Sequence, residues 1–263
     1  MKPATTITKV CRVLGEFKNR PSLGVTDLAR RTALLPSDVH RILTSLQIYG
    51  YVEQDPETRR YHLGAGLLRL GLTTFQRNVL REKGRPILMR LSEQLTAATH
   101  LAMLDIQECE VFLVDQVDPP VDVLFKAKLG AAASPHSTAL GKTIMASMDR
   151  ETLLRVLERT GLPKSTAHTI TDLAALEHEF QSIRQRGFAV DREESADGAC
   201  CVGCPIRNCA GTVIGALSAS MSAGRFHETN QTRLAAQVEA AALELSSALG
   251  YDPRRLDQYR YVG

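Results

Sequence analysis

Apolar positions in the first third of the chain recur at helical spacing. Ile7, Val10, Cys11, Leu14 and Phe17 form one stripe, predicting an amphipathic helix that ends before Asn19-Arg20-Pro21. A second, shorter helix is expected over residues 24–32, with Thr26 or Asp27 near its start and Leu28-Ala29 turned inward. Ala33-Leu34-Leu35 reads as a tight connection, and Pro36 suits the first turn of a third helix, where its missing N–H costs nothing. In that helix Val39, Ile42, Leu43 and Leu46 fall at i, i+3, i+4 and i+7 and bury one face. Ser37, Asp38, His40, Arg41, Thr44 and Ser45 fall on the other. Residues 50–54 and 60–63 then read as two strands around Asp55-Pro56-Glu57-Thr58-Arg59, whose Asp-Pro opens a turn. Three helices followed by a basic hairpin predict a winged helix-turn-helix over residues 1–64.

Residues 65–82 continue as a leucine-rich helix, with Phe75, Val79 and Leu80, outside either core. Such a helix is expected to pack on another, from a second subunit, and Gly66 and Gly71 allow bending or close approach. Beyond it the periods alternate. Helices are expected over 85–96, 137–148, 150–160, 172–186 and 229–249, and strands over 99–104, 110–117, 121–128, 187–192, 200–206 and 213–220. Hairpin-like spacing of strands flanked by helices predicts an antiparallel α+β domain over residues 83–263.

Charge sharpens the reading of the first part. The first 79 residues hold 12 Lys and Arg against 6 Asp and Glu, whereas the rest hold 20 against 23. A polyanion suits the basic third, because Lys and Arg neutralise phosphates and release counterions. The third helix, with small polar groups and an Arg near its N-terminal end, has the form of a recognition helix for a major groove. Arg41 has the shape to fork onto guanine or clamp a phosphate; Thr26, Ser37, His40 and Thr44 would bond bases or backbone, and Arg59 and Arg60 at the wing tip would reach the backbone or minor groove. Asp38 is the discordant member: a carboxylate repels phosphate, though it can accept from cytosine or cap its own helix. The competing reading is a protein-interaction module whose polar face is only solvated.

No apolar run approaches the ~18 residues a membrane helix needs, and no apolar core follows the opening Met1–Thr6. The cytoplasm is the expected compartment, with no membrane partner. Six cysteines, three of them at 200, 201 and 204, do not form a spaced disulfide framework. Cys201 and Cys204 would point to opposite faces of a strand, poor geometry for shared chelation. Buried small apolar cysteines are therefore expected, with zinc or redox chemistry as the alternative.

An ordered set of segments resembles the IclR family of transcriptional regulators. It comprises Gly50-Tyr51-Val52, Arg60-Tyr61-His62-Leu63-Gly64, His136-Ser137-Thr138-Ala139-Leu140-Gly141-Lys142, Thr169-Ile170-Thr171-Asp172, residues 186–194 from Arg186 to Glu194, and the closing Leu249-Gly250. The resemblance implies a GAF-like effector-binding domain after the winged helix, and dimers or tetramers on palindromic double-stranded operators. It also implies a pocket for a small organic or aromatic acid, built from the loop at 130–141 and from Asp191, Cys201, Ser218 and Ser220, with His136, Ser137, Thr138 and Ala139 at the loop's end. No cofactor is required.

Within that pocket, Ser137 and Thr138 precede a helix, so their hydroxyls and the free N–H groups of its first turn suit a carboxylate. Ser218 and Ser220 share a face by period two. The bland readings are a helix cap for Ser137 and small packing residues for the two strand serines. Three alanines, Ala131-Ala132-Ala133, stand where bulkier residues are common in the family and would reshape the pocket. The rival class is an enzyme, a hydrolase with Cys201 or Cys204 as nucleophile, His136 as base and Asp191 as orienter; against it stands a DNA-reading module that such an enzyme does not need.

Overall fold

The computed structural model describes residues 5–18, 20–105, 110–119, 129–130 and 132–254, with Ala132 and Ala133 as backbone. The chain divides into two compact units, Met1–Asn78 and Val79–Gly263.

In the first unit the expected apolar stripes meet in one core. Helices α1 (Thr5–Gly15), α2 (Val25–Thr32) and α3 (Pro36–Ile48) bury Val13, Leu28, Val39, Leu43 and Leu46, joined by Phe17 and Leu23. The α2–α3 connection is short because Ala33 adopts a left-handed conformation (φ 53°) and Leu34 N–H closes on Ala29 O at 3.1 Å. Pro36 occupies the first helical position of α3, after an extended Leu35. Strands β1 (Val52–Gln54) and β2 (Tyr61–Leu63) pair antiparallel, with Val52 opposite Leu63. Asp55 shapes the turn between them, its Oδ1 accepting Glu57 N–H at 2.9 Å and Thr58 N–H at 2.8 Å. These bonds hold the Asp55 carboxyl below its ordinary range. Helix α4 (Ala65–Gln76) ends earlier than its apolar pattern suggests. Leu80, read with α4, instead begins the next helix and enters the core of the second unit.

The second unit holds a six-stranded antiparallel sheet in the order β5-β4-β3-β8-β7-β6. Its strands are β3 (Ala98–Asp105), β4 (Glu110–Val117), β5 (Ala132–Ala133), β6 (Ala189–Arg192), β7 (Ala199–Arg207) and β8 (Val213–Ser222). The strand expected over 121–128 lies outside the described residues. Part of the expected loop, Ala132–Ala133, pairs with Val111 and Phe112 as an edge strand.

One sheet face is covered by α5 (Val79–Leu95) and α10 (Gln231–Ala248), whose Leu80, Leu88, Val238 and Leu245 pack on Leu101, Val202, Cys204 and Leu217. Helix α5 starts well before the expected 85 and runs through Pro86, because Leu80, Gly84, Ile87, Leu88 and Leu91 all bury along it. Burial outweighs the helix-breaking tendency of proline here. The short α9 (Ala223–Glu228), capped by Ser222, precedes α10 and was not anticipated.

The other face carries α6 (Ala139–Met145), every residue of which is buried. Helices α7 (Arg150–Thr160) and α8 (Leu173–Arg186) lie outside it, packing Leu153, Val156, Leu176 and Phe180 around Met145. Helix α6 approaches the sheet closely because Gly203 has no side chain. A Cβ there would stand 2.8 Å from Ala139 O and 2.9 Å from Ala139 C. Gly203→Ala is therefore expected to destabilise the second unit by about 1–3 kcal/mol through overpacking; a lower urea midpoint at unchanged slope is the check.

Candidate functional site

The exposed face of α3 presents Ser37, His40, Arg41, Thr44 and Ser45. The Thr44 and Ser45 hydroxyls donate to His40 O and Arg41 O, each at 2.9 Å, so outward they offer lone pairs. Asp38 does not cap the helix: Leu35 holds that position, and the Asp38 carboxylate pairs with Lys9 Nζ from α1 at 2.7 Å. That ammonium holds the Asp38 carboxyl below its usual range and offsets the charge that made the residue discordant. Thr26, His40, Arg59 and Arg60 come together with Asp27, Gln54 and Thr58 around one groove of about 490 Å³ between α2, α3 and the wing. Arg59 stands exposed at the wing in a left-handed conformation (φ 56°). Arg60 is braced internally, donating to Ser22 Oγ at 3.2 Å and Ser22 O at 3.0 Å and lying 3.3 Å from Asp27 Oδ2.

In the second unit the strand register assembles two polar rows on the sheet face under α6. Gly203, Ser218, His100 and Gln116 are successive cross-strand partners on β7, β8, β3 and β4. Asp191, Cys201 and Ser220 form the adjoining row on β6, β7 and β8. Ser220 Oγ donates to Cys201 Sγ at 3.0 Å and stands 3.4 Å from His100 Nδ1. His100 is 7% exposed, and burial pushes its pKa down to about 4, against a pull from Asp118, so the ring is neutral.

At the head of α6 the cap is Thr138, whose Oγ1 accepts Gly141 N–H at 3.1 Å. Ser137, offered as a cap by the sequence, is not one: it is fully buried and its Oγ has no partner. His136 is equally buried. Its Nε2 meets Pro163 O at 3.2 Å and must carry the proton there, which leaves Nδ1 a lone pair without a partner. Burial lowers the His136 pKa. Partnerless buried polar atoms are uncommon in folded proteins.

Asp191 is engaged by its own chain, accepting Glu194 N–H at 2.8 Å, Ser195 N–H at 3.3 Å and Ser195 Oγ–H at 2.5 Å; burial nevertheless raises its carboxyl pKa. It orders the 191–195 turn. Lys142, quoted above only as part of a motif, is 1% exposed and donates to Val190 O at 2.7 Å and Glu194 Oε1 at 2.5 Å. Lys142, His100, Gln116 and Asp118 were not singled out from the sequence as site residues; for His100 and Gln116 the one sequence signal is a polar residue interrupting an apolar strand.

The hydrolase alternative lacks its geometry. Burial pushes both the Cys201 and the Cys204 thiols well up, and among the described residues no imidazole bonds either sulfur. The two face opposite sides of β7, Cys204 in the core below. Among the described residues no three His, Cys, Asp or Glu side chains lie close enough to share a metal ion, and none of the helices is long and apolar enough to cross a membrane.

Two family models match this chain. The model of the bacterial transcriptional regulator IclR C-terminal part covers residues 72–247, and that of the IclR helix-turn-helix domain covers residues 6–56. The chain belongs to the IclR family. As such it is a ligand-responsive, DNA-binding transcriptional regulator. It is 31% identical to the transcriptional regulator KdgR of Escherichia coli over 248 residues, which span 94% of this chain and 93% of that one. A crystal structure of an IclR-type regulator from Silicibacter superposes with a TM-score of 0.84 at 27% identity, covering 94% of this chain and 97% of that one. An IclR homologue from Microbacterium hydrocarbonoxydans, crystallised with 4-hydroxybenzoate, superposes at 0.77 with 25% identity, covering 93% and 99%.

Proposed function

We propose that α3 enters the major groove of a palindromic operator, that α4 pairs two copies of the chain, and that a small organic acid seated over the polar rows alters operator binding. The observation carrying the effector site is the fully buried Ser137 hydroxyl, without a partner at the head of α6, the helix that packs on the sheet face bearing Ser218 and Ser220. The Microbacterium relative's aromatic acid supports the ligand class. Leu68, Leu70 and Leu72, about half exposed on α4, support the subunit contact. Ser37, His40, Arg41, Thr44, Thr26 and Arg59 contact DNA, while Asp38 and Arg60 position their neighbours. The protein acts in the cytoplasm, without catalysis and without a resident metal. Arg41→Ala is expected to weaken binding to the chain's own upstream DNA by about 1–3 kcal/mol, read by fluorescence anisotropy at fixed salt. An unchanged affinity would remove Arg41, and with it this docking of α3.

A further inference from the structure

Hydrogen placement along the polar rows gives the pocket a chemical direction. The Ser220 hydroxyl has one proton and donates it to Cys201 Sγ. Its contact with His100 must then run from the imidazole to the serine oxygen, so Nδ1 carries the hydrogen and Nε2 a lone pair. Gln116 stands opposite His100 and donates from Nε2 to Asp118 Oδ2 at 3.4 Å. Gln116 Oε1 and Asp118 Oδ1 are left buried and without partners. Two partnerless acceptors, one of them on a carboxylate, thus stand at the β3–β4 end of the row, with the His100 ring opposite Gln116 and Ser218 as the neighbouring hydroxyl. The other end, at Ser137, lies two residues ahead of Ala139, whose carbonyl backs onto Gly203 in the same row.

We propose that the His100–Gln116–Asp118 end recognises a hydrogen-bond donor on the effector, so that the effector is a carboxylic acid bearing a hydroxyl or amino group at its far end. The inference rests on the acid-effector reading above. An acid without that donor leaves buried acceptors unmet once it displaces water, and sites built to bond a donor reject analogues lacking it far more strongly than apolar pockets reject a missing methylene.

The test is calorimetric titration of the full chain with benzoate, 4-fluorobenzoate, 4-hydroxybenzoate and 4-aminobenzoate, and with hexanoate and 6-hydroxyhexanoate. The hydroxyl and amino members are expected to bind about tenfold or more tightly than their donor-free counterparts. The comparison of hydroxyl with amino separates the two sources of the donor. Asp118→Asn puts an amide donor at the site and is expected to bring the preference close to unity while benzoate binding persists. Gln116→Leu serves as a second variant, and each apo melting temperature reports folding. Equal binding across a series, or a preference unchanged in both variants, overturns the donor subsite and leaves the acid reading standing. Failure of every acid to bind overturns both.

Discussion

Lys142→Met is expected to lower the unfolding free energy by roughly 3–5 kcal/mol at pH 8, the range for removing one partner of a buried ion pair. Lys142 Nζ lies between Glu194 at 2.5 Å and Glu179 at 3.5 Å, and Glu194 is itself 6% exposed with Oε2 unpartnered. Burial already pushes the Glu194 carboxyl up, with Lys142 pulling it back. Without the ammonium, Glu194 rises further and folds protonated. A carboxyl with a raised folded-state pKa gains stability as pH falls, so the deficit shrinks from pH 8 toward pH 5. Differential scanning calorimetry at the two pH values reads this as a melting temperature lower by roughly 10 °C at pH 8 and less at pH 5. Glu194→Met in the same chain is expected to restore most of the loss, because the unpaired charge is gone. Loss of stability independent of pH would assign Lys142 a packing role alone.

The second large effect is acid destabilisation through His100. Its ring is neutral in the fold with a pKa of about 4, from an ordinary 6.5. The unfolded chain therefore binds more protons than the native one between those values, and stability is full above about 6.5 and lost as pH falls toward 4. The shift corresponds to roughly 3 kcal/mol. His136, also lowered by burial, adds in the same direction, whereas the raised Asp191 and Glu194 carboxyls oppose it. The difference between wild type and His100→Asn isolates the His100 share. Urea unfolding at pH 7 and pH 4.5 should show a smaller acid loss in the variant. Equal losses would mean that the ring charges in the folded state.

Much of the fold was legible because period and turn chemistry agreed. The α3 stripe of Val39, Ile42, Leu43 and Leu46, the Pro36 start and the Asp55 turn each carry a local cause that tertiary packing does not override. Helix α5 starts earlier than expected because the burial of Leu80 in the second core is not a local signal. The cross-strand pairing within the polar rows lay beyond sequence reading for the same reason. That His100 faces Ser218 and Gln116 is a fact of strand register, set by partners more than a hundred residues away in one direction. Asp38 shows the reverse case, discordant by itself and resolved by Lys9 from another helix. The resemblance supplied the pocket's serines and Asp191, yet only the geometry shows Asp191 tied to its own turn.

The central claim, that an acid seated in the second unit governs DNA binding by the first, is tested by one titration. Fluorescence anisotropy of labelled upstream DNA is followed at fixed salt and protein while 4-hydroxybenzoate is added, with calorimetry of the same sample confirming that the acid binds. The expected result is an operator affinity shifted by about 1–3 kcal/mol, a coupling of ordinary size between two sites. Saturating acid binding with the operator affinity unmoved would contradict it.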